Sequence, residues 1–171
     1  MSTLLWSDSL VLGLPFMDDT HREFVDLLAT VVNAPDDQVV AAWQILITHT
    51  DVHFGREDRW MRDTRFSSSN CHSTQHNVIL QVMREGDVRG QAGELDVIRQ
   101  MADELGVWFA QHAQSMDAAL ALHLRSVGYD TATGVVHSPQ ALPNEEIHGC
   151  ASATCSTPQT DVEKTPDAVA A

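Results

Sequence analysis

The sequence of 171 residues contains few cysteines and few basic residues. Three cysteines are too few for a disulfide-based scaffold. Ten lysines and arginines stand against 24 aspartates and glutamates, which gives a formal net charge of −14. Nucleic acids and anionic membrane surfaces both require a basic protein face. We therefore expect neither nucleic acid nor a membrane as a partner.

Long apolar runs are also missing. No run approaches the ~20 apolar residues that a membrane-spanning helix needs. The first residues, Met-Ser-Thr-Leu-Leu-Trp-Ser-Asp, lack the basic region and the apolar stretch of a signal peptide. Both observations favour a cytoplasmic protein. Hydrophobic residues make up 43% of the chain, which is enough to bury the core of one domain.

What the sequence does contain is helical periodicity in four segments. An apolar arm of residues 1–17 precedes them, and Gly13 and Pro15 prevent this arm from forming one helix. We predict helices at about residues 19–33, 37–63, 69–86 and 92–126. Four helices with short connections are typical of an up-down-up-down bundle. The predicted fold is therefore an all-α four-helix bundle with an N-terminal arm.

The pattern changes after the fourth predicted helix. Residues 128–171 lack apolar periodicity, are rich in Pro, Ser, Thr and Ala, and carry six acidic residues against one basic residue. A segment of this composition does not bury enough apolar surface to offset its ordering entropy. We predict that residues 1–127 form the folded domain and that residues 128–171 form a disordered tail.

The four predicted helices carry seven residues of metal-ligand type at regular spacings. They are His21, His53, Glu57, His72, His76, His112 and Asp117. The second and third helices each carry two of them four residues apart, which places both on one helix face with Cβ atoms roughly 5–6 Å apart. Asp117 follows His112 by five residues, about 140° further round a regular α-helix. This offset suits a carboxylate that reaches sideways between two ions.

The type and number of these donors restrict the metal. Five imidazoles and two carboxylates exceed the four ligands of a structural zinc ion and contain too much nitrogen for calcium or magnesium. The set fits two transition-metal ions, with iron as the leading candidate. Without metal, the burial of so many polar groups in a bundle would be costly.

These residues resemble the ligand pattern of the bacterial hemerythrins. That pattern has a His on the first helix, H-x3-E on the second, H-x3-H on the third and H-x4-D on the fourth, and this chain has every element in order. Trp6, Asp18 and Trp108 agree with the family as well, whereas Phe109 occupies a position that is usually leucine. The resemblance extends over about residues 4–126.

The resemblance implies a non-haem di-iron centre that binds dioxygen reversibly, for storage, delivery or sensing. Glu57 and Asp117 would bridge the two irons together with an oxo or hydroxo group. Two histidines would complete one iron, leaving an open position, and three would complete the other; these are His21 and His53, and then His72, His76 and His112. Trp60, Trp108, Phe109 and Met116 are candidates for the wall of the oxygen pocket.

Two other functions remain open at this stage. One is a di-iron enzyme, such as a peroxidase or a reductase of oxygen or nitric oxide, and the other is an iron storage or iron sensing protein. Di-iron enzymes of the ferritin-like bundles use Glu-x-x-His motifs, which are absent from the ligand positions. We therefore expect an oxygen-binding protein, not an enzyme. We also expect a monomer, and no protein partner is indicated.

The other histidines of the bundle and Cys71 are predicted not to bind the metals. His49 lies one turn before His53 and is expected beside the site. His123 lies about 16 Å further along its helix than His112, which is too far to share the ions. Cys71 points away from the ligand face of its helix and is expected to be a thiol.

Overall fold

The computed structural model describes residues 4–66 and 71–147. Within these ranges the helices are α1 Pro15–Asn33, α2 Val39–Asp63, α3 Cys71–Gln91, α4 Leu95–His112, a π-helical turn Ala113–Asp117 and α5 Ala118–Ser126. Helix α1 packs on α2 and α4, and α3 packs on the same two neighbours. The predicted all-α four-helix bundle is confirmed. No helix of the described part has the length and apolar character needed to cross a membrane.

The N-terminal arm is tied to the first turn of α1. This helix begins at Pro15 and not near residue 19, because the fixed φ and missing N–H of proline suit the first helical turn. The Asp18 carboxylate accepts hydrogen bonds from the backbone N–H groups of Leu12 and Gly13, at 2.7 and 3.0 Å. Gly13 has a φ of +75°, which lets the arm turn back toward Asp18. The arm is therefore fixed to the bundle shortly before His21.

Helix α3 is longer than the sequence predicted. It continues to Gln91 and passes through Gly86 and Gly90, which are buried. A Cβ atom at Gly86 would lie 2.4 Å from Met101 Sδ, and one at Gly90 would lie 2.3 Å from Ile98 Cδ1. These glycines therefore do not end the helix; they let the backbone of α3 approach α4 closely.

The apolar core consists of two clusters that lie on either side of a polar layer. One cluster contains Phe24 and Trp43 from α1 and α2, and the other contains Met61 and Leu120 from α2 and α5. All four side chains are fully buried, and each contributes roughly 1.5–3 kcal/mol from burial. The Trp43 indole N–H donates to the backbone carbonyl of Met83 at 2.9 Å, which links α2 to α3 inside the core.

Residues 128–147, here called the C-terminal extension, fold back on the bundle. Tyr129 is only 7% exposed, and its hydroxyl donates to Oδ2 of Asp63 at 2.7 Å. At the far end of the extension, the backbone N–H of Ile147 donates to the carbonyl of Arg65 at 3.1 Å. The extension therefore covers the corner where α2 ends.

The predicted disorder thus does not extend to residues 128–147. Val136, Leu142 and Ile147 pack against the second apolar cluster, but they are too few and too widely spaced to give a periodic pattern in the sequence. The rest of the predicted tail, residues 148–171, lies outside the described residues.

Cys71 also differs from expectation. It is the first residue of α3, and it is half-buried and disulfide-bonded. The prediction of a thiol at this position is therefore wrong. The other two cysteines of the chain, Cys150 and Cys155, lie outside the described residues.

The C-terminal extension should stabilise the bundle measurably. We predict that a chain ending at residue 127 melts about 4–8 °C below one ending at residue 147. Burial of the Tyr129 ring and its hydrogen bond should contribute about 2 kcal/mol, and each kcal/mol shifts the melting temperature by about 2–4 °C in a domain of this size. Both shortened chains lack Cys150 and Cys155, so they differ only in the extension. Equal melting curves by circular dichroism would contradict the prediction.

Candidate metal centre

Seven ligand-type side chains meet in the polar layer between the two apolar clusters. Each of them is at most 3% exposed. They form two groups in which the ligand atoms lie within 4.8 Å of one another. The groups are Glu57, His72, His76, His112 and Asp117, and His21, His53 and Glu57. The structure therefore brings together all seven residues that the sequence singled out, and Glu57 belongs to both groups.

Helical spacing places these side chains in register, in one case through a π-helical turn. His53 and Glu57 lie one turn apart on α2, with Nε2 of the histidine 3.1 Å from Oε1 of the glutamate. His112 ends α4, and Asp117 ends the π-helical turn. Because a π-helix closes hydrogen bonds between residues five apart, these two residues lie on one face, with Nε2 3.1 Å from Oδ1. The 140° offset predicted for a regular α-helix is therefore wrong.

The two oxygens of Glu57 face different histidines. Oε1 lies 3.1 Å from Nε2 of His53 and 3.8 Å from Nε2 of His21. Oε2 lies 3.3 Å from Nε2 of His76 and 3.7 Å from Nε2 of His72. One oxygen therefore points toward each ligand group.

Asp117 divides its oxygens in the same way. Oδ2 lies 3.3 Å from Nε2 of His21, whereas Oδ1 lies 3.0 Å from Nε2 of His72 and 3.1 Å from Nε2 of His112. The two carboxylates thus stand side by side between the same two sets of imidazoles.

Several atoms of this cluster are buried without a hydrogen-bond partner. Within the described residues, no hydrogen bond reaches Nε2 of His21 or His72, Oε2 of Glu57 or either carboxylate oxygen of Asp117. The nitrogen–oxygen distances are short, but their directions do not meet hydrogen-bond geometry. Burial of polar atoms in this way is expensive unless another partner satisfies them.

A metal ion would satisfy these atoms. Nε2 of His76 and Nε2 of His112 face each other at 3.2 Å, a distance at which two nitrogen lone pairs can point to a common centre. Neighbouring ligands that each lie about 2.1 Å from one octahedral ion are about 3 Å apart. The spacings between ligand atoms therefore fit metal coordination, and the mixed nitrogen and oxygen donors fit transition-metal ions.

Charge balance leads to the same conclusion. Burial disfavours the imidazolium form of His21, but the Asp117 and Glu57 carboxylates outweigh it and raise the pKa of His21 to about 10. The same causes, in the same order, raise the pKa of His72 to about 9. Without metal, these histidines therefore hold protons that offset the buried carboxylates. Metal cations would replace those protons, so metal binding must release them.

The carboxylates stay ionised despite their surroundings. Burial raises the pKa of Asp117, and so does the neighbouring Glu57 carboxylate, but contacts with His112 and His21 hold it well below the usual range. Burial also opposes ionisation of Glu57, whose pKa is nevertheless held well below its usual range by His53 and His21. Both side chains are therefore anionic at neutral pH.

Aromatic rings enclose the three-histidine group. The Phe54 ring stacks on the His76 ring with centroids 3.9 Å apart and an interplanar angle of 5°. Trp108 stacks on His112 at 4.5 Å and 26°. These contacts restrict ring rotation and keep the surroundings apolar.

At the other group, Phe109 is the main apolar neighbour. Its ring meets the edge of His21 at 5.2 Å and stacks on Phe24 at 4.1 Å. Of the residues predicted for the wall of the oxygen pocket, Trp108 thus contacts His112 and Phe109 contacts His21. Trp60, another predicted wall residue, instead contacts Phe16 ring to ring at 5.9 Å.

Two polar residues at the centre were not predicted from the sequence. Nδ1 of His76 lies 3.0 Å from Oδ1 of Asp58, and Nδ1 of His112 lies 3.2 Å from Oε1 of Gln75. Asp58 directly follows a ligand-type residue and Gln75 directly precedes one, but both otherwise resemble ordinary polar residues on a helix surface. Spacing alone could not have identified them.

The two remaining histidines of the bundle contribute to neither ligand group. Nε2 of His49 lies 3.2 Å from the carbonyl oxygen of Thr20, and its ring centroid is 6.2 Å from that of His53. His123 lies 3.0 Å from the carbonyl oxygen of Thr64 through its Nε2. Each therefore has a structural partner on the backbone.

Comparison with known proteins gives consistent matches. A family described as the hemerythrin HHE cation binding domain matches residues 12–122. A bacteriohemerythrin of Ralstonia nicotianae is 35% identical over 130 residues, which cover 76% of this chain and 95% of that protein. A bacteriohemerythrin of Pseudomonas paraeruginosa is 30% identical over 153 residues, covering 87% and 92%. A myohemerythrin of Sipunculus nudus is 26% identical over 113 residues, covering 66% and 87%. The predicted resemblance is confirmed.

Metal should stabilise this fold strongly. We predict that zinc added to the metal-free protein raises its melting temperature by about 8–16 °C. Zinc in thousandfold excess over its dissociation constant stabilises the folded state by about 4 kcal/mol, and each kcal/mol corresponds to about 2–4 °C. Glu57→Gln keeps the shape of the side chain but removes its charge, so it should lose most of this gain. Identical melting curves with and without zinc would contradict the prediction.

Proposed function

Because the chain belongs to the hemerythrin family, we propose that it holds two non-haem iron ions in this centre and binds dioxygen reversibly there. The observation that carries the proposal is that each of the two buried carboxylates directs its two oxygens toward different histidines. Glu57 and Asp117 each direct one oxygen toward His21 and the other toward His72. This is the arrangement that two neighbouring ions with shared carboxylate ligands require.

In the proposed centre, Glu57 and Asp117 would each hold both irons. The remaining residues would complete the two irons as two sets, namely His21 and His53, and His72, His76 and His112. The iron held by two histidines would have fewer protein ligands, which would leave room for dioxygen there. The open position would lie on the side of the bundle where Phe109 contacts His21.

Two bound irons would supply the reversible two-electron redox chemistry that oxygen binding and release need. The protein's part is to fix the ligands and to exclude water from the open side. Phe109 and Phe24 are at most 1% exposed and stack on each other next to His21. An apolar wall of this kind prevents the loss of bound oxygen to side reactions that need water or protons.

The donor set supports oxygen binding over catalysis. Ferritin-like di-iron proteins place four glutamates and two histidines around the metals, whereas this centre offers five imidazoles and two carboxylates. We therefore assign the protein to oxygen storage, delivery or sensing. Its cytoplasmic location and monomeric state stay predictions from the sequence.

An optical experiment tests the proposal. Protein loaded with iron should contain two irons per chain by metal analysis. The reduced form should be nearly colourless, gain near-ultraviolet and visible charge-transfer bands in air, and lose them when oxygen is removed. The reason is that a dry, open iron position can accept oxygen and return it. Continuous oxygen consumption with a reductant, without any stable oxygenated spectrum, would instead support the enzyme alternative.

Phe109 gives a more specific test of the oxygen pocket. We predict that Phe109→Leu retains two irons but oxidises in air several-fold faster than the wild type. The smaller side chain leaves a cavity beside His21, and water that enters it would assist loss of the bound oxygen. Phe66→Leu is the matched control, because Phe66 is also buried but belongs to the second apolar cluster. Slower oxidation of Phe109→Leu, or the same change in the control, would contradict the proposed wall.

A further inference from the structure

The two ends of the metal centre differ in the hydrogen-bond partners of their histidine Nδ1 atoms. At the three-histidine end, Nδ1 of His76 faces Oδ1 of Asp58 at 3.0 Å, and Nδ1 of His112 faces Oε1 of Gln75 at 3.2 Å. The Nδ1 atom of His72, the third histidine at this end, has no hydrogen-bond partner within the described residues, and the same is true of Nδ1 of His21 and His53 at the two-histidine end. Polar support therefore reaches two of the three rings at one end and neither ring at the other.

The supported histidines are held in a defined tautomer. A carboxylate only accepts hydrogen bonds, so the Nδ1–H of His76 donates to Asp58. The amide oxygen of Gln75 likewise accepts from the Nδ1–H of His112. In the neutral form of each ring, Nε2 therefore carries no proton, and the two Nε2 atoms face each other at 3.2 Å. Each ring is thus prepared to donate a lone pair to the same ion.

The two supports differ in strength. The bond from His76 to Asp58 involves a charged acceptor, which makes it stronger than a bond between neutral groups. The Asp58 side chain is only 26% exposed, so water screens it incompletely. An anionic acceptor also makes the imidazole a better donor to a metal. Asp58 should therefore contribute more than Gln75.

We propose that Asp58 and Gln75 are positioning residues that make the three-histidine position retain its metal ion more tightly than the two-histidine position. The inference rests on the proposed function, because it assumes that the centre binds two ions. Outer-shell partners of this kind typically change metal affinity by about 10–100-fold. Loss of Asp58 should therefore weaken one of the two binding steps much more than the other.

Zinc titration of the metal-free full-length protein, in competition with a chromophoric chelator, measures both steps. In Asp58→Ala the tighter step should weaken by about 10–100-fold, and the difference between the two steps should shrink. Asp51→Ala is the matched control, because it removes the same charge from the same helix. Asp51 is 55% exposed and pairs with Arg84 at 3.0 Å, so this variant should behave like the wild type.

Asp58→Asn extends the test to a variant with nearly unchanged shape. Its amide oxygen can still accept the Nδ1–H bond but carries no charge, so the loss in affinity should be smaller than in Asp58→Ala. Proton NMR of zinc-loaded protein with 15N-labelled histidine provides a second measurement. The Nδ1–H signal of His76 should lie far downfield in the wild type and in Asp51→Ala, move upfield in Asp58→Asn, and exchange with water in Asp58→Ala.

The outcomes separate this inference from the proposed function. If wild-type protein binds fewer than two zinc ions, the di-metal assignment itself fails. If it binds two and the Asp58 variants match Asp51→Ala in both steps and in the Nδ1–H signal, only the positioning role is overturned. Equal weakening of both steps would also overturn it, because it would show a general loss of stability that affects both metal positions alike.

Discussion

Two carboxylates buried in the middle of a helical bundle set the condition that the rest of this structure must meet. Glu57 and Asp117 have no measurable exposure, and buried charges of one sign are stable only beside compensating positive charge. The surrounding histidines can provide it either as imidazoliums, which the raised pKa values of His21 and His72 favour, or as neutral ligands that would hold metal cations. At this centre, protons and metal ions would therefore compete for the same partners.

The apolar parts of the fold keep these groups in register. The two hydrophobic clusters pack the helices together on both sides of the polar layer. One turn of each helix therefore contributes its ligand-type residues to that layer. Gly86 and Gly90 let α3 approach α4, and nearer the start of α3, Nε2 of His76 lies 3.2 Å from Nε2 of His112 at the end of α4. The arm, tied to α1 through Asp18, fixes the turn that precedes His21. Packing thus determines the distances on which the chemistry depends.

The features that could be predicted from the sequence are those with a repeating spacing. Intervals of four residues placed His53 with Glu57 and His72 with His76, and the apolar periodicity gave the four helical segments. An element that depends on contacts between distant parts of the chain leaves no local sign in the sequence. In the sequence, Gly86 resembled the end of a helix. Only the folded structure shows that glycine is needed there, because α3 packs closely against Met101.

The same limit applies to the polar partners and to the C-terminal extension. Asp58 and Gln75 occupy ordinary positions on helix surfaces, and only the folded bundle shows that they reach His76 and His112. The extension is held by a small number of side chains, such as Tyr129 and Ile147, that are far apart in sequence. A composition typical of disorder is therefore compatible with a docked segment when a few long-range contacts suffice to hold it.

The π-helical turn at Ala113–Asp117 has a consequence for how the fourth helical segment is compared with others. The turn accommodates one residue more than an α-helical turn would, so the faces of α5 are rotated by about 100° relative to a regular continuation of α4. A helical wheel drawn continuously from residue 95 to residue 126 would therefore place Ala121, which is fully buried, about 120° away from the buried Phe109. Alignments and redesigns of this segment should therefore treat α4 and α5 as two helices with different rotational positions, separated by the turn between His112 and Asp117.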